Sequence, residues 1–478
     1  MLPETALVLG ALAVLGVDMA FGRGIPAAQR LRRSVSIALA AVLAAVYGSL
    51  GAGANGPVFG GVLFLDQLTL VTRLGVLLLT GLTLGLLNGV IRQRHPAEYV
   101  AVMLLAASGF TLMAAAHQLL VAFLAIELAS LSLYVLAGFD KTRPESAEAA
   151  LKYFLFGGMS AAFLLFGFSL IYGLTGALDL RDISIRLALQ GTSPLLIIAL
   201  VMITVAFGFK AAAAPFHLWA PDVYQGAPAS STALIASASK LAGFVLFMRL
   251  LWGGMPLSAG RIGEWPMYVG WLPVLALLAF ASMFLGNIAA LAQSNLRRLL
   301  AYSAIAHAGS ILLGITAARY EGPGPVFYYA ATYGLATVGI FGVIAIVERA
   351  GQCQNLTDLA GLHRRSPLLA ACLAVFVLSL AGIPPLAGFF GKFVVYASVL
   401  KLGGLGGPAG WLVIAAIALS AVGLYYYLLI LKQALVVAPR EGAARIAVPS
   451  QAGFVLLAIT TGLLLLGVFP SVVLQLFI

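Results

Sequence analysis

The chain has 478 residues, of which 62% are hydrophobic and 9% charged, with a formal net charge of +11. A soluble domain carries about 25% charged residues, so the composition excludes a water-soluble enzyme and places the chain in a bilayer. Basic residues of membrane proteins gather in cytoplasmic loops, so the positive charge is no sign of nucleic-acid binding.

In chain order, the first apolar run, Ala6 to Phe21, has no positively charged leader before it and contains Asp18. It reads as a retained span, not a cleaved signal. Apolar runs of about 20 residues cross a bilayer. Counting them predicts about fourteen spans, near 4–22, 34–52, 67–91, 98–116, 118–138, 147–175, 193–217, 228–251, 267–291, 297–318, 326–348, 367–400, 409–436 and 452–475. Asp179–Ser193 and Arg349–Pro367 are expected as loops, no linker can hold a soluble domain, and no arm is expected after the last span. Cys353 and Cys372 lack C-x-x-C spacing, which excludes a cysteine-ligated iron–sulfur cluster and a disulfide framework. The five histidines are scattered singly, and no H-E-x-x-H motif or P-loop occurs.

One set of alternate loops carries Arg23, Arg30, Arg32, Arg33, Arg92, Arg94, Lys141, Arg143, Arg297, Arg298, Arg349, Arg364, Arg365, Arg440 and Arg445. The other carries Arg181, Arg186, Arg261, Arg319 and Lys401. The rich set is expected to be cytoplasmic, which places both termini on the other side. Glycines recur, as in LFGGMSAAFLLFGFSLIYG and GLTLGLLNG, where small residues let helices approach closely.

The stretch Phe209–Lys240 interrupts this hydrocarbon pattern. It holds Lys210, Lys240, His217 and three prolines, Pro215, Pro221 and Pro228. Ionisable groups in a bilayer are costly unless they find partners or line a wet path. Pro215 cannot donate a hydrogen bond and clashes with the Ala211 carbonyl, so the seventh span should break beside Lys210 and leave free carbonyls. Glu127 lies near the middle of the fifth span. It either bonds a neighbouring helix or partners Lys210. A nearby carboxylate favours a protonated lysine and burial opposes it; a Lys–Glu pair of variable separation is therefore a proton switch, and one of fixed separation a packing device. Lys240 is at the middle of the eighth span, too deep to snorkel easily. His307, mid-span in the tenth, is either a relay or bonded to a backbone carbonyl.

Lys392 follows Pro384 and Pro385 in the twelfth span, five spans after the first break. A five-span repeat inverts because five is odd, and paired breaks in inverted halves point to a transport site. Spans four to eight and nine to thirteen would be those halves. Glu127, Lys210, Lys240, His307 and Lys392 could then form a charged, hydrated line that carries protons laterally. Moving charge against the membrane potential costs about 2.3 kcal/mol per 100 mV. Nothing here binds a nucleotide or redox centre, so the driver lies in another chain. The residues alone point to a proton- or cation-translocating membrane subunit.

FKAAAAPFHLWAPDVYQGAP, LAIELASLSLYVLAGF followed by EAALKYFLFGG, NIAALAQSNLRRLLAYSAIAHAG and LAGIPPLAGFFGKF resemble the proton-translocating, antiporter-like subunits of respiratory complex I, the bacterial proton-pumping NADH:quinone oxidoreductase. The resemblance runs from about residue 60 to 435, and APDVYQGAP separates one branch from its paralogues. It implies an all-α polytopic membrane protein of about fourteen helices, with two inverted five-helix repeats and broken seventh and twelfth helices. The implied units are a three-helix segment over 1–97, half-channels over 98–251 and 267–436, and a C-terminal helix over 437–478. Glu127 and Lys210 would be the pair of the first half-channel, Lys240 the connecting lysine, Lys392 the key residue of the second half-channel, and His307 an accessory. No cofactor is implied in this chain. NADH, FMN, iron–sulfur clusters and quinone would belong to partner subunits, with ferredoxin an alternative donor. Implied partners are an adjacent antiporter-like subunit, small membrane subunits and, indirectly, a redox arm, all in a bacterial inner membrane. A cation/proton antiporter subunit without redox drive and a purely structural scaffold remain the rival readings. One departure is that Ala229-Ser230 stands after GAP where the family usually has Thr-Pro.

Overall fold

The computed structural model describes residues 1–51, 56–90, 94–191, 193–263, 270–351, 353–440 and 442–477. Arg92, counted above among the loop cations, and residues 267–269, at the start of the second half-channel, lie outside them. The chain is helical almost throughout. α1 (Leu2–Phe21) and α2 (Ala27–Leu50) lead into a hairpin of β1 (Gly56–Val58) and β2 (Leu63–Leu65), paired antiparallel with Pro57 opposite Phe64. Then come α3 (Gln67–Gly85), α4 (Pro96–Ala115), α5 (Leu119–Ala137), α6 (Pro144–Thr175), α7 (Leu180–Gln190) and α8 (Pro194–Ala211). Next are α9 (Trp219–Gly226), α10 (Ala229–Ala236), α11 (Ala238–Arg249), α12 (Trp271–Leu291), α13 (Leu296–Glu321) and α14 (Gly324–Ala350). The chain closes with α15 (Leu362–Arg365), α16 (Pro367–Ala381), α17 (Ala387–Leu400), α18 (Pro408–Leu435), α19 (Ser450–Val468) and α20 (Ser471–Leu474).

Among the described residues, thirteen helical stretches are long and apolar enough to cross a bilayer, counting Ala229–Gly254 as one. α16 and α17 are shorter apolar helices in series. Contacts between loops show how these stretches alternate. Asp222 meets Lys152 and Arg298, Arg440 meets Asp358, and Arg349 bonds the Gly89 carbonyl, so the loops after odd spans share one face. Arg249 meets Asp66, His117 faces Asp179, and Lys401 pairs with Glu321, so the loops after even spans share the other. Both ends sit on this second face. Glu4 pairs with Arg73 of α3 near its Asp66 end, and Phe477 packs on Phe327 at the start of α14.

The structure departs from the sequence reading in four places. A hairpin joins α2 to α3 in an otherwise helical chain. The loop expected over Asp179–Ser193 contains α7, which starts on an Asp179 cap bonded to the Arg181 amide and buries Leu180, Ile183 and Leu187. That i, i+3, i+7 spacing is a helical face. The loop expected over Arg349–Pro367 contains a 3₁₀ turn at Leu356–Leu359 and α15. The eighth span is broken at Ser237, whose hydroxyl donates to the Ala233 carbonyl at 2.6 Å; such local side-chain bonds compete with the helix ladder.

α10 and α11 are buried on every side, and α13 and α14 nearly so. A helix that is apolar all round belongs in the core, and these four hold Lys240 and His307. The outer helices leave large apolar side chains exposed, such as Leu120, Leu124 and Leu131 of α5. Helices approach closely where glycine permits: a Cβ at Gly109 would lie 2.7 Å from the Ala129 amide nitrogen of α5.

The odd-span face is pinned at Asp222. Lys152 Nζ lies 2.6 Å from one carboxylate oxygen and Arg298 Nη1 2.5 Å from the other. Partial burial pushes this carboxyl up, but the hydrogen bonds from Lys152 and Arg298 outweigh it and hold the carboxyl below its usual range. A depressed folded-state value means that the stabilisation is present at neutral pH and is lost as pH falls through that value. Asp222→Asn should therefore lower the thermal stability of the purified protein at pH 7 and leave it little changed near pH 3, as read from denaturation in detergent.

Candidate proton path

Lys210 sits in the last turn of α8, where a cation suits the carbonyl end of a helix. α8 stops at Ala211 because Ala212 takes a left-handed conformation, φ +59°, and Pro215 follows. The break forms where Pro215 predicts it, and the two carbonyls just before Lys210 are taken up within the turn. Gly208 accepts from the Ala213 amide at 2.7 Å, and Phe209 from the Ala212 amide and from Trp219 Nε1 at 3.0 Å. Trp219 stacks on Tyr153, with ring centroids 4.4 Å apart, and Tyr153 packs edge-on against Tyr134. The Lys210 ammonium instead donates to Ser130 Oγ of α5 at 3.1 Å. Glu127 lies three residues before Ser130. No hydrogen bond, and no ion pair within 4.0 Å, joins it to Lys210, though the two charges interact through space. Glu127, Ser130, Tyr134, Ser160 and Lys210 line one small cavity.

The Lys210 stem lies against α11, since a Cβ at Gly243 would meet its Cγ at 3.4 Å. Lys240 is three residues from Gly243, one turn away on the same helix. Its ammonium donates to the Ala304 carbonyl of α13 at 3.1 Å and lies 5.7 Å from the Tyr333 ring centre. The same ring is 5.0 Å from the His307 imidazole. Tyr333 therefore stands between the eighth-span lysine and the histidine. Tyr224 of the APDVYQGAP block is buried and interacts with Tyr333.

His307 bonds no backbone carbonyl. Its Nδ1 is 2.8 Å from the Tyr329 hydroxyl and its Nε2 2.9 Å from that of Tyr427. Tyr427 also contacts Ser303 Oγ. One cavity is lined by His307, Tyr329, Ser310, Ser420, Tyr427 and Lys392. Lys392 is on α17, past the break at Pro384–Pro385. α16 ends at Ala381, whose carbonyl would bond the amide of residue 385 in a continuing helix; Pro385 has no amide hydrogen. Lys392 Nζ donates to that carbonyl at 3.1 Å. Gly382, at φ +85°, lets the lysine lie close, since a Cβ there would be 3.1 Å from Lys392 Cδ.

All five sequence-predicted residues thus lie along one run of adjoining elements: Glu127 and Lys210 line one cavity, His307 and Lys392 another, and Lys240 is on α11 beside Tyr333. None of the five forms an ion pair among the described residues. Sequence reasoning missed Ser130 and the tyrosines. Their signal is present in part, as VFYYAATYG and LYYYLL place three of these phenols, Tyr329, Tyr333 and Tyr427, within apolar runs. Two ion pairs near the even-span face, the buried Arg73–Glu4 and the half-buried Arg249–Asp66, were also missed. The departure at Ala229-Ser230 is accommodated, with Ser230 Oγ 2.5 Å and Ser231 Oγ 2.7 Å from the Tyr99 hydroxyl. APDVYQGAP is stapled to α13, where Arg298 bonds Asp222 and Gln225, and Arg297 bonds the Ala227 carbonyl.

The imidazole is enclosed, so removing one partner strands a buried polar atom at a cost of about 1–3 kcal/mol. Tyr427→Phe should lower the unfolding midpoint of the purified protein, and Tyr329→Phe should do so by a similar amount.

The family described as NADH:quinone oxidoreductase/Mrp antiporter, TM, matches residues 116–423. NADH-quinone oxidoreductase subunit N 2 of Acidobacterium capsulatum is 47% identical, over 99% of this chain and 97% of its own. NADH-quinone oxidoreductase subunit N of Alkalilimnicola ehrlichii is 35% identical, over 98% and 94%. A chain of respiratory complex I from Thermus thermophilus superposes with a TM-score of 0.81 at 34% identity, covering 99% of this chain and 98% of its own. A chain of the Mrp complex from Dietzia superposes at 0.80, covering 100% and 96%, but at 20% identity it shares the fold alone. With its broken helices, its unpaired buried lysines and this degree of identity over nearly its whole length, the chain belongs to the NADH-quinone oxidoreductase subunit N family of antiporter-like membrane subunits.

Proposed function

We propose that this chain is the proton-translocating membrane subunit of an NADH:quinone oxidoreductase, and that protons pass along Glu127, Lys210, Lys240, His307 and Lys392. The observation that carries the reading is the state of the buried lysines. Each ammonium is held by a neutral oxygen, that of Ser130, Ala304 or Ala381, and none by a carboxylate within 4.0 Å. Lysines whose purpose is to fix packing would be neutralised, because an unpaired buried charge destabilises strongly. Lysines that exchange protons need partners they can leave.

NADH, FMN, iron–sulfur clusters and quinone would be held by partner subunits, with electrons passing there and energy reaching this chain through the membrane arm. An adjacent antiporter-like subunit and small membrane subunits would flank it in a bacterial inner membrane, with both termini on the non-cytoplasmic side. Residues 98–251 and 267–436 would act as half-channels, with 1–97 and 437–478 as flanking segments.

Two measurements test this. The complex isolated through this chain should contain flavin- and iron–sulfur-bearing subunits; a complex with neither supports an antiporter without redox drive. In the assembled complex, Lys210→Ala and Lys392→Ala should each abolish most proton pumping per quinone reduced. Wild-type pumping in both would leave only a scaffold role.

A further inference from the structure

The odd-span face holds a further cavity, away from the residues of the proton path. Its volume is about 290 Å³, at the small end of ligand pockets, which run from about 300 to 1,000 Å³. The loop between α5 and α6 and one end each of α10, α13 and α14 wall it, with Asp140, Arg143, Ser230, Arg297, Glu348 and Arg349. Three guanidinium groups thus face two carboxylates, and both carboxylates are engaged. Glu348 pairs with Arg297, and Asp140 accepts from the Thr142 amide and hydroxyl at 3.2 and 2.6 Å. Arg349 gives one donor to the Gly89 carbonyl. Arg143 Nε stands 3.8 Å from Glu145, too far for a hydrogen bond.

α10 begins on the same cavity, since Pro228 and Ala229 also line it. Pro228 offers no side-chain cap, and among the described residues the amides of Ala229 and Ser230 have no acceptor. The first amides of a helix are donors that carry partial positive charge. Water satisfies many such ends, but Arg297 is a separate observation. It is 2% exposed on the cavity wall. Its Nη1 serves the Gln225 and Ala227 carbonyls and its Nη2 serves Glu348, yet its Nε has no acceptor among the described residues. A buried donor left unmade is costly and calls for a partner. We propose that this cavity binds an anionic phosphate ester or phosphate, held by Arg143, Arg297, Arg349 and the first amides of α10. Guanidinium forks and helix N-termini are the groups that recognise phosphate oxygens. A lipid headgroup and a soluble phosphate carry the same chemistry. Bound there, the anion joins α10, α13, α14 and the loop before α6, and so fixes the odd-face end of the buried core. The site is independent of the proton-path reading.

The probe is inorganic phosphate, titrated calorimetrically into the purified full-length chain in uncharged, phosphate-free detergent. It should bind at one site per chain, more weakly as salt is added. Arg143→Gln and Arg349→Gln should each weaken binding by about tenfold, as expected for the loss of a hydrogen bond to a charged group. Arg143 is half-buried and Arg349 exposed, so both variants should keep the wild-type melting midpoint. Ser230→Pro should weaken binding as well, because proline is tolerated in a first helical turn but brings no amide hydrogen. Ser230→Ala keeps the amide and should bind like the wild type. The source is read after reconstitution in phosphatidylcholine vesicles containing phosphatidylglycerol, by native mass spectrometry of the extracted chain. Phosphatidylglycerol that is retained by the wild type, displaced by phosphate and lost in Arg143→Gln assigns the site to a lipid headgroup. Phosphate binding without lipid retention assigns it to a soluble phosphate. The site is overturned if phosphate does not bind, or if both arginine variants bind it as the wild type does. Equal binding by Ser230→Pro and Ser230→Ala overturns the part given to α10.

Discussion

The structure depends on one constraint: ammonium groups must be kept inside a bilayer protein without being neutralised. A buried cation needs oxygen around it, yet a tight carboxylate partner would fix its proton. The chain resolves this by interrupting helices. At Pro385 the ladder loses an amide donor, the Ala381 carbonyl is released, and Lys392 occupies it. At Pro215 the Gly208 and Phe209 carbonyls are taken by Trp219 and the following amides. The ammonium is then left to the Ser130 hydroxyl. Two breaks that look alike in sequence therefore serve their lysines differently: one provides the lysine's partner, and the other only shapes the place where it sits.

Such an interior is weakly bonded, so the faces must hold the bundle. On one face Asp222 joins Lys152 and Arg298, and Arg297 joins Glu348. Near the other, Arg249 joins Asp66, and Arg73 joins Glu4. These pairs link helices far apart in the chain, and they are half-buried or buried, where screening is weak. The carboxylates are thus spent near the membrane faces. Glu127 stays in the interior, lining the same cavity as Lys210.

Much of the architecture was legible in the residues because the bilayer limits the possibilities. Length and apolar content set the spans, Pro215 and Pro384-Pro385 set the breaks, and arginine alternation set which loops share a face. What failed did so for physical reasons. α7 is amphipathic and short, so span counting passes over it. The break at Ser237 has no proline and depends on a local hydroxyl bond. The phenols around His307 come from α14 and α18, whose approach to α13 nothing in the linear order reveals.

The sequence by itself determined that buried lysines, a glutamate and a histidine would occupy broken or apolar helices, because an ionisable residue in a hydrophobic run is visible without coordinates. It also carried the family likeness, since the motifs around those residues are contiguous. Only the tertiary structure decided the partners. Lys210 rests on Ser130 and not on Glu127, Tyr333 stands between Lys240 and His307, and Lys392 fills the carbonyl left by Pro385. A hydrogen bond is fixed to within a few tenths of an ångström. Whether a side chain reaches a carboxylate or the hydroxyl one turn away depends on how helices pack, which spacing along the chain does not encode.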